Sequence, residues 1–417
     1  MEQKLFTKNF VLLVLGQASS LFGNYILRLA LSMYVLEVTG SAAVFAGILS
    51  VATIPTILLS PVGGILADRA DRRNIMVALD TLTGISVLCA AVLLSGDNAV
   101  AVISVLLVIL AVLGAFETPT VQACIPQMLA GDHIIRGNAV VNQVASISYL
   151  IAPMLGGILY AAVGLKPVMF ASVVCFFVTA LFECFIKLGG QARAFQGSIL
   201  SVVKDDLFES IRFITRERTD IMRMLLLAAF SRFFVMGVTL VGLPFVVRTV
   251  LGLDARFYGG AESSLAVATI LGSIAAGLLT GKLKSGRLSY VLAVIGVCII
   301  SAGVVFLFHS GACVRYAVIV AAFCGMQAAI SIFSIFAVSL IQQNTPDELI
   351  GKIMAYTSAV TMCVQPAGQM VYGFLFDRFR GAVYLVLIPS GIIVCVTGLL
   401  ATGFFRKLEE AQGCEIN

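Results

Sequence analysis

Tryptophan is absent from these 417 residues, histidine occurs twice, at His133 and His309, and only 12% of the side chains are charged. Water-soluble domains carry about 25% charged residues, so this composition cannot cover a surface with water-compatible groups. So few histidines leave little for hydrolytic designs built on imidazole proton transfer, and neither an HExxH nor a Ser/His/Asp arrangement is suggested. Ten cysteines are scattered, many of them inside apolar runs (Cys89, Cys175, Cys298, Cys324, Cys395), without a CxxC pair or a Cys/His cluster. They read as small buried hydrophobes, and no metal, cofactor or disulfide framework is expected. A GxxxxGK[ST] phosphate loop is missing, which excludes an ATP-driven pump carrying its own motor. The missing tryptophan removes one common interface and stacking residue.

What is present is apolar: 60% of residues are hydrophobic and mean hydropathy is +1.04. Continuous apolar runs reach about 20 residues, the length that crosses a hydrocarbon core as a helix. A closed barrel would show short alternating segments instead. Twelve spans are predicted at 10–36, 43–66, 74–95, 99–122, 138–161, 166–187, 221–250, 256–280, 287–308, 314–341, 352–376 and 382–405. The first run is too long for a signal-peptide core, so no cleaved signal is expected.

Lys and Arg set the orientation. With a cytoplasmic N-terminus, 19 of the 27 fall on the inner side and 6 on the outer, while Arg28 and Arg232 stay within spans. The positive-inside rule therefore predicts a multi-pass chain in the plasma or inner membrane with both termini cytoplasmic. Basic residues follow that inner face, so nucleic acid is not an expected partner. Residues 188–220 form the one long polar interruption. There Leu207, Ile211 and Ile214 recur at helical spacing among charges, which predicts an amphipathic helix on the inner surface. The halves on either side repeat. Gly64 and Gly277, Pro153 and Pro366, and Phe45-Ala46-Gly47 and Tyr258-Gly259-Gly260 share one offset of 213 residues. The expected architecture is an all-α integral membrane bundle of twelve helices. Residues 1–187 and 221–417 are its six-helix halves, and 188–220 is the cytoplasmic linker.

The loop after span 2 reads Gly64-Ile-Leu-Ala-Asp68-Arg69-Ala-Asp71-Arg72-Arg73. This pattern resembles the G-x-x-x-D-R-x-G-R-R signature of the major facilitator superfamily, with Asp71 where Gly is common. With Asp80 following, and with Glu37-Val-Thr39-Gly40-Ser41 between spans 1 and 2, it resembles the macrolide-efflux and drug–proton antiporter branch. The resemblance implies a gate: Gly64 permits close helix approach, and Asp68 docks on the positive end of a partner helix, span 11 near Lys352. The plainer reading is that Arg69, Arg72 and Arg73 only fix topology. In span 5, Ala152-Pro153-Met-Leu-Gly156-Gly157 resembles the G-P-x-x-G-G of drug antiporters, with Ser148 and Ala139 in place of two further glycines. Ordinary tight packing around a proline kink is the competing reading.

Ionisable groups inside spans are functional candidates in lipid. The resemblance places spans 1, 4, 7 and 10 around a cavity, and these carry Asn24, Arg28, Glu117, Arg232 and Gln327. Arg28, near the outer end of its span, can snorkel to the interface. Arg232, about 16 Å into span 7, cannot do so easily. Glu117 and Asp80 are the acids best placed to load and release a proton. Asp80 can instead pair with the Arg69–Arg73 cluster, and Glu117, before Thr118-Pro119, can mark a helix break. The expected function is proton-coupled efflux of a hydrophobic or amphipathic small molecule, macrolide-like, by alternating access. Its partners are that molecule, protons and the bilayer. The alternatives are a dedicated carrier of an endogenous lipid or siderophore, and a non-transporting membrane sensor or membrane-integral enzyme. The last would need a catalytic constellation within the spans, and none is visible.

Overall fold

The computed structural model describes residues 5–188, 219–280, 285–346 and 349–415. The amphipathic helix expected in the linker falls on 189–218 and lies outside the described residues. Among the described residues, twelve long helices account for the expected spans: α1 Lys8–Thr39, α2 Ala42–Arg69, α3 Arg72–Leu93, α4 Ala99–Met128, α5 Asp132–Val163, α6 Leu165–Cys184, α7 Thr219–Val250, α8 Ala255–Leu279, α9 Leu288–Leu307, α10 Ala312–Gln343, α11 Ile350–Arg378 and α12 Tyr384–Leu400. A terminal helix α13, Thr402–Glu415, follows. Among the described residues, eleven helices are long and apolar enough to span a bilayer. The remaining long one, α11, has the length but is polar, carrying Lys352, Gln365, Gln369, Asp377 and Arg378. Large apolar side chains stay exposed along these helices, among them Leu58, Val92, Leu278 and Leu400. Such surface is tolerable only against lipid.

The described residues form two compact units. One holds 5–40, 47–188 and 253–263; the other holds 41–46, 219–252, 264–280, 285–346 and 349–415. The start of α2 thus packs within the second unit and the start of α8 within the first.

In the first unit α1 packs on α5 and α6, and α3 on α4 and α6. Glycines make the α1–α6 seam close. A Cβ on Gly23 would stand 2.9 Å from Cys175 Cβ, and one on Gly16 would touch Thr179. At that spacing the α6 hydroxyls reach α1 carbonyls: Ser172 donates to Gly23 O at 3.1 Å and Thr179 to Gly16 O at 3.0 Å. Helices in lipid lack a hydrophobic drive to associate, so small residues and such bonds hold them. α1 ends at Gly40, whose φ of 60° closes the turn with an N–H bond to Leu36 O.

In the second unit α9 packs on α10 and α12, and α7 on α11. Gly296 and Gly391 meet across α9 and α12, and Gly368 of α11 lies against the Phe233 backbone of α7. α7 was expected to be a plain span, but it turns through π-helical segments at Gly237–Gly242 and Val246–Val250. Pro244 lies between them. A proline has no N–H and its ring crowds the carbonyl four residues back, and wider turns relieve that conflict. By contrast α4 runs unbroken through Pro119 and Pro126, so Glu117 does not mark a helix end. The Ala115 carbonyl that Pro119 cannot serve faces Gly63 instead, 2.5 Å from where a Cβ would sit.

Candidate functional site

Four helices of the first unit converge on a buried acidic cluster. On α1, Gln17, Ser20 and Asn24 recur at helical spacing and share one face. Gln17 is 6% exposed and Ser20 1%. Against Gln17 and Ser20 stand Asp80 of α3 and Glu183 of α6, at 2% and 1% exposure, and Glu117 of α4, which is half-buried. The α1–α6 seam sets this up: Glu183 sits one turn beyond Thr179, and its Cγ is 3.9 Å from where a Gly16 Cβ would be.

Ser20 Oγ lies 3.0 Å from Asp80 Oδ1 and 3.3 Å from Glu117 Oε1. The Asp80 and Glu183 carboxyl groups are within hydrogen-bonding reach of each other, and the Gln17 amide stands beside Glu117. Asp80 Oδ2 and Glu183 Oε2 find no donor, and Gln17 Nε2 no acceptor in bonding geometry. Among the described residues none of the three acids is paired with Lys or Arg.

Hydrogen counting shows what the cluster can hold. An ionised carboxylate only accepts, and a serine hydroxyl donates once. Three links join Glu117, Ser20, Asp80 and Glu183 in a row, and they need three hydrogens. Ser20 supplies one, so full satisfaction places two protons on three carboxyl groups. Unpaired charge buried in lipid is costly, and protons remove it. Among the described residues no His, Cys, Asp or Glu set is arranged to hold a metal ion.

Several sequence expectations are redrawn. Asp80 does not reach the basic loop. It lies seven residues past Arg73, about 10 Å along the helix, and turns to Ser20 and Glu183. Arg72 instead binds Ala67 O and Ala123 O, both at 2.7 Å, and Arg73 binds Cys184 O. Asp71 caps α3, accepting from Arg73 N at 3.1 Å, which gives the acid at that position a structural role. Close helix approach comes from Gly63; a Cβ on Gly64 would meet nothing within 4 Å. The side chains of Asp68 and Arg69 lie outside those described.

The same carboxylate-to-helix logic appears at the other end of α2. Asp377, at the end of α11, accepts from Ser41 Oγ at 2.5 Å and from the Ala42 and Ala43 backbone N–H groups at 2.6 and 3.0 Å. Gly373, one turn earlier, lies against Ala42, Ala43 and Ala46.

In span 5, Ala152 and Ser148 are fully buried, Gly156 meets the Ile26 backbone and Gly157 the backbone of Ala255 and Arg256. Pro153 meets Gly259 in the same seam. Arg28 is exposed but stands within electrostatic range of Glu262, whose Oε1 accepts from Tyr258 at 2.6 Å, and of the edge-on Tyr25–Tyr149 pair. In the second unit Arg232 reaches Gln365 Oε1 at 3.5 Å, while its Nε and Gln327 Oε1 lack partners. Sequence reading missed Glu183 and Asp377. The signal for Glu183 was available, since it is an ionisable residue within an apolar run.

The sequence profile of the Major Facilitator Superfamily matches residues 13–367. Macrolide efflux protein A of Streptococcus pyogenes is 23% identical over 393 residues, spanning 91% of this chain and 92% of that protein. Multidrug efflux pump Tap of Mycolicibacterium fortuitum is 23% identical over 397 residues, 93% of each. Among solved structures, a mutant form of the nucleoside transporter NupG superposes with a TM-score of 0.74 at 12% identity, covering 94% of this chain and 99% of that one. With its helical bundle and a family match across most of its length, this multi-pass membrane protein belongs to the Major Facilitator Superfamily of transporters.

Proposed function

We propose that this chain exports a hydrophobic or amphipathic small molecule, macrolide-like in character, in exchange for protons. The observation that carries the reading is the cluster in which Ser20 bridges Asp80 and Glu117 and Asp80 meets Glu183. Glu117, the least buried acid, is the port where a proton enters; Ser20 relays it to Asp80, and Glu183 completes the store. Protonation removes buried charge and deprotonation restores it, so proton occupancy biases which access state is favoured. In this reading the two sequence halves, 1–187 and 221–417, rock against each other, with both termini in the cytoplasm of a plasma or inner membrane. Efflux-pump relatives favour outward movement of cargo, and the chain acts as a transporter rather than an enzyme.

The test is uptake of a macrolide and of a lipophilic dye into inside-out vesicles under an imposed acid-inside proton gradient. We expect protonophore-sensitive transport that Asp80→Asn and Glu183→Gln reduce to background, with normal amounts of folded protein in the membrane. Gradient-independent transport, or full activity in both variants, overturns the proton reading. No movement of any panel compound by a folded wild-type chain favours a dedicated endogenous amphiphile as cargo.

A further inference from the structure

A cavity of about 620 Å³ opens within the second unit, where α7, α9 and α11 end and α10 and α12 begin. Thr249, Phe306, Arg315, Arg380 and Tyr384 line it, and no lining residue is acidic. Arg315 is held in place: its Nη2 donates to Phe308 O at 2.9 Å, and its guanidinium lies 5.7 Å over the Phe306 ring. That anchoring leaves donors over, and its buried Nε has no partner. Thr249 Oγ1 is likewise buried without a partner. The acid nearest to Arg380 in sequence, Asp377, is engaged by the first turn of α2. Two guanidinium groups with no acid lining beside them form an anion site, and a planar guanidinium matches phosphate oxygens in pairs.

The surroundings select the source of that anion. Residues adjoining the lining are large, apolar and exposed, including Leu307, Phe308, Val314 and Leu385. A soluble anion has no use for an apolar rim, whereas acyl chains need one. The volume falls within the range of roughly 300–1,000 Å³ usual for small-ligand pockets. Three long helices end here and two begin, and the ends of membrane-spanning helices lie near headgroup level. The positive-inside count predicts that this end lies outside.

We infer that this pocket binds the headgroup of an anionic glycerophospholipid, with the phosphodiester on Arg315 and Arg380. Headgroup hydroxyls of the phosphatidylglycerol type meet Thr249 and Tyr384, and the acyl chains run along the apolar rim. The site is independent of the transported cargo.

Native mass spectrometry of the full-length chain, released from detergent with added phosphatidylglycerol or phosphatidylcholine, tests this. One phosphatidylglycerol should be retained per chain, at least tenfold tighter than phosphatidylcholine. The Arg315→Gln/Arg380→Gln double variant should lose that preference, while Lys166→Gln keeps it. The single Arg380→Gln change, at an exposed position, should weaken retention without affecting folding, and covers a double variant that fails to fold. Equal retention of the two lipids, or an unchanged preference in Arg380→Gln, overturns the proposal. Inorganic phosphate that displaces phosphatidylglycerol at equal concentration also overturns it, because the site would then serve a soluble anion.

Discussion

Ser20 has one hydrogen and two carboxyl neighbours, at 3.0 and 3.3 Å. It therefore cannot donate to both at once, and each proton shift reverses the direction of a bond. Ser20→Ala removes the bridge and leaves buried Asp80 and half-buried Glu117 without it. Losing a buried hydrogen bond costs about 1–3 kcal/mol, so proton-driven export should slow at least about fivefold in a vesicle assay. Ser20→Thr keeps the hydroxyl and should retain most of the rate; equal loss in both variants would assign Ser20 to packing alone. Asp80, Glu117 and Arg232 were visible from sequence because each is charged within an apolar run. Their partners were not, because Ser20 and Gln17 are ordinary polar residues until the fold sets acids beside them.

At the scale of helices, two devices dominate: glycine seams and a carboxylate on a helix start. Gly23→Val would force its side chain into Cys175 of α6. Overpacking of this kind costs about 1–3 kcal/mol. It should lower the thermal midpoint of the purified chain and, by shifting α6, displace Glu183. Asp377 caps the first turn of α2 with charge as well as hydrogen bonds. Charge at a helix N-terminus is worth about 0.3–2 kcal/mol. With the halves moving as proposed, this cap must open for outward access. Asp377→Asn should then raise outward-open occupancy by about 2- to 30-fold. A cysteine at Gln327, which the family resemblance puts on the cavity, in a background lacking the native exposed thiols, should label correspondingly faster from outside with an impermeant reagent. An unchanged rate would make the cap a fixed structural joint. A motif raised the expectation of a cytoplasmic latch at Asp68, whose side chain lies outside those described. The Asp377 cap was not, because nothing local in the sequence joins residues 377 and 41.

For the molecule as a whole, the proposed orientation puts N- and C-terminal tags on one side. Protease should remove both tags in inside-out vesicles and neither in right-side-out vesicles. Opposite accessibility of the two ends would overturn the even number of spans. α11 shows why counting by hydropathy alone is fragile. It is among the more polar of the long helices, yet Gly368 and Gly373 pack it against α7 and the start of α2.

A bundle of membrane helices, a repeat at one offset and membership of a transporter family were decided by the sequence itself. They depend on composition, periodicity and short contiguous motifs, all of which survive in one dimension. Tertiary structure alone decided that Asp80 turns away from the arginines towards Ser20 and Glu183. It also made Gly63 rather than Gly64 the close contact, and brought Arg315 and Arg380 to one cavity. Those outcomes depend on the rotation of each helix about its axis. Packing against neighbours sets that rotation, because in lipid an apolar helix has no wet face to fix it.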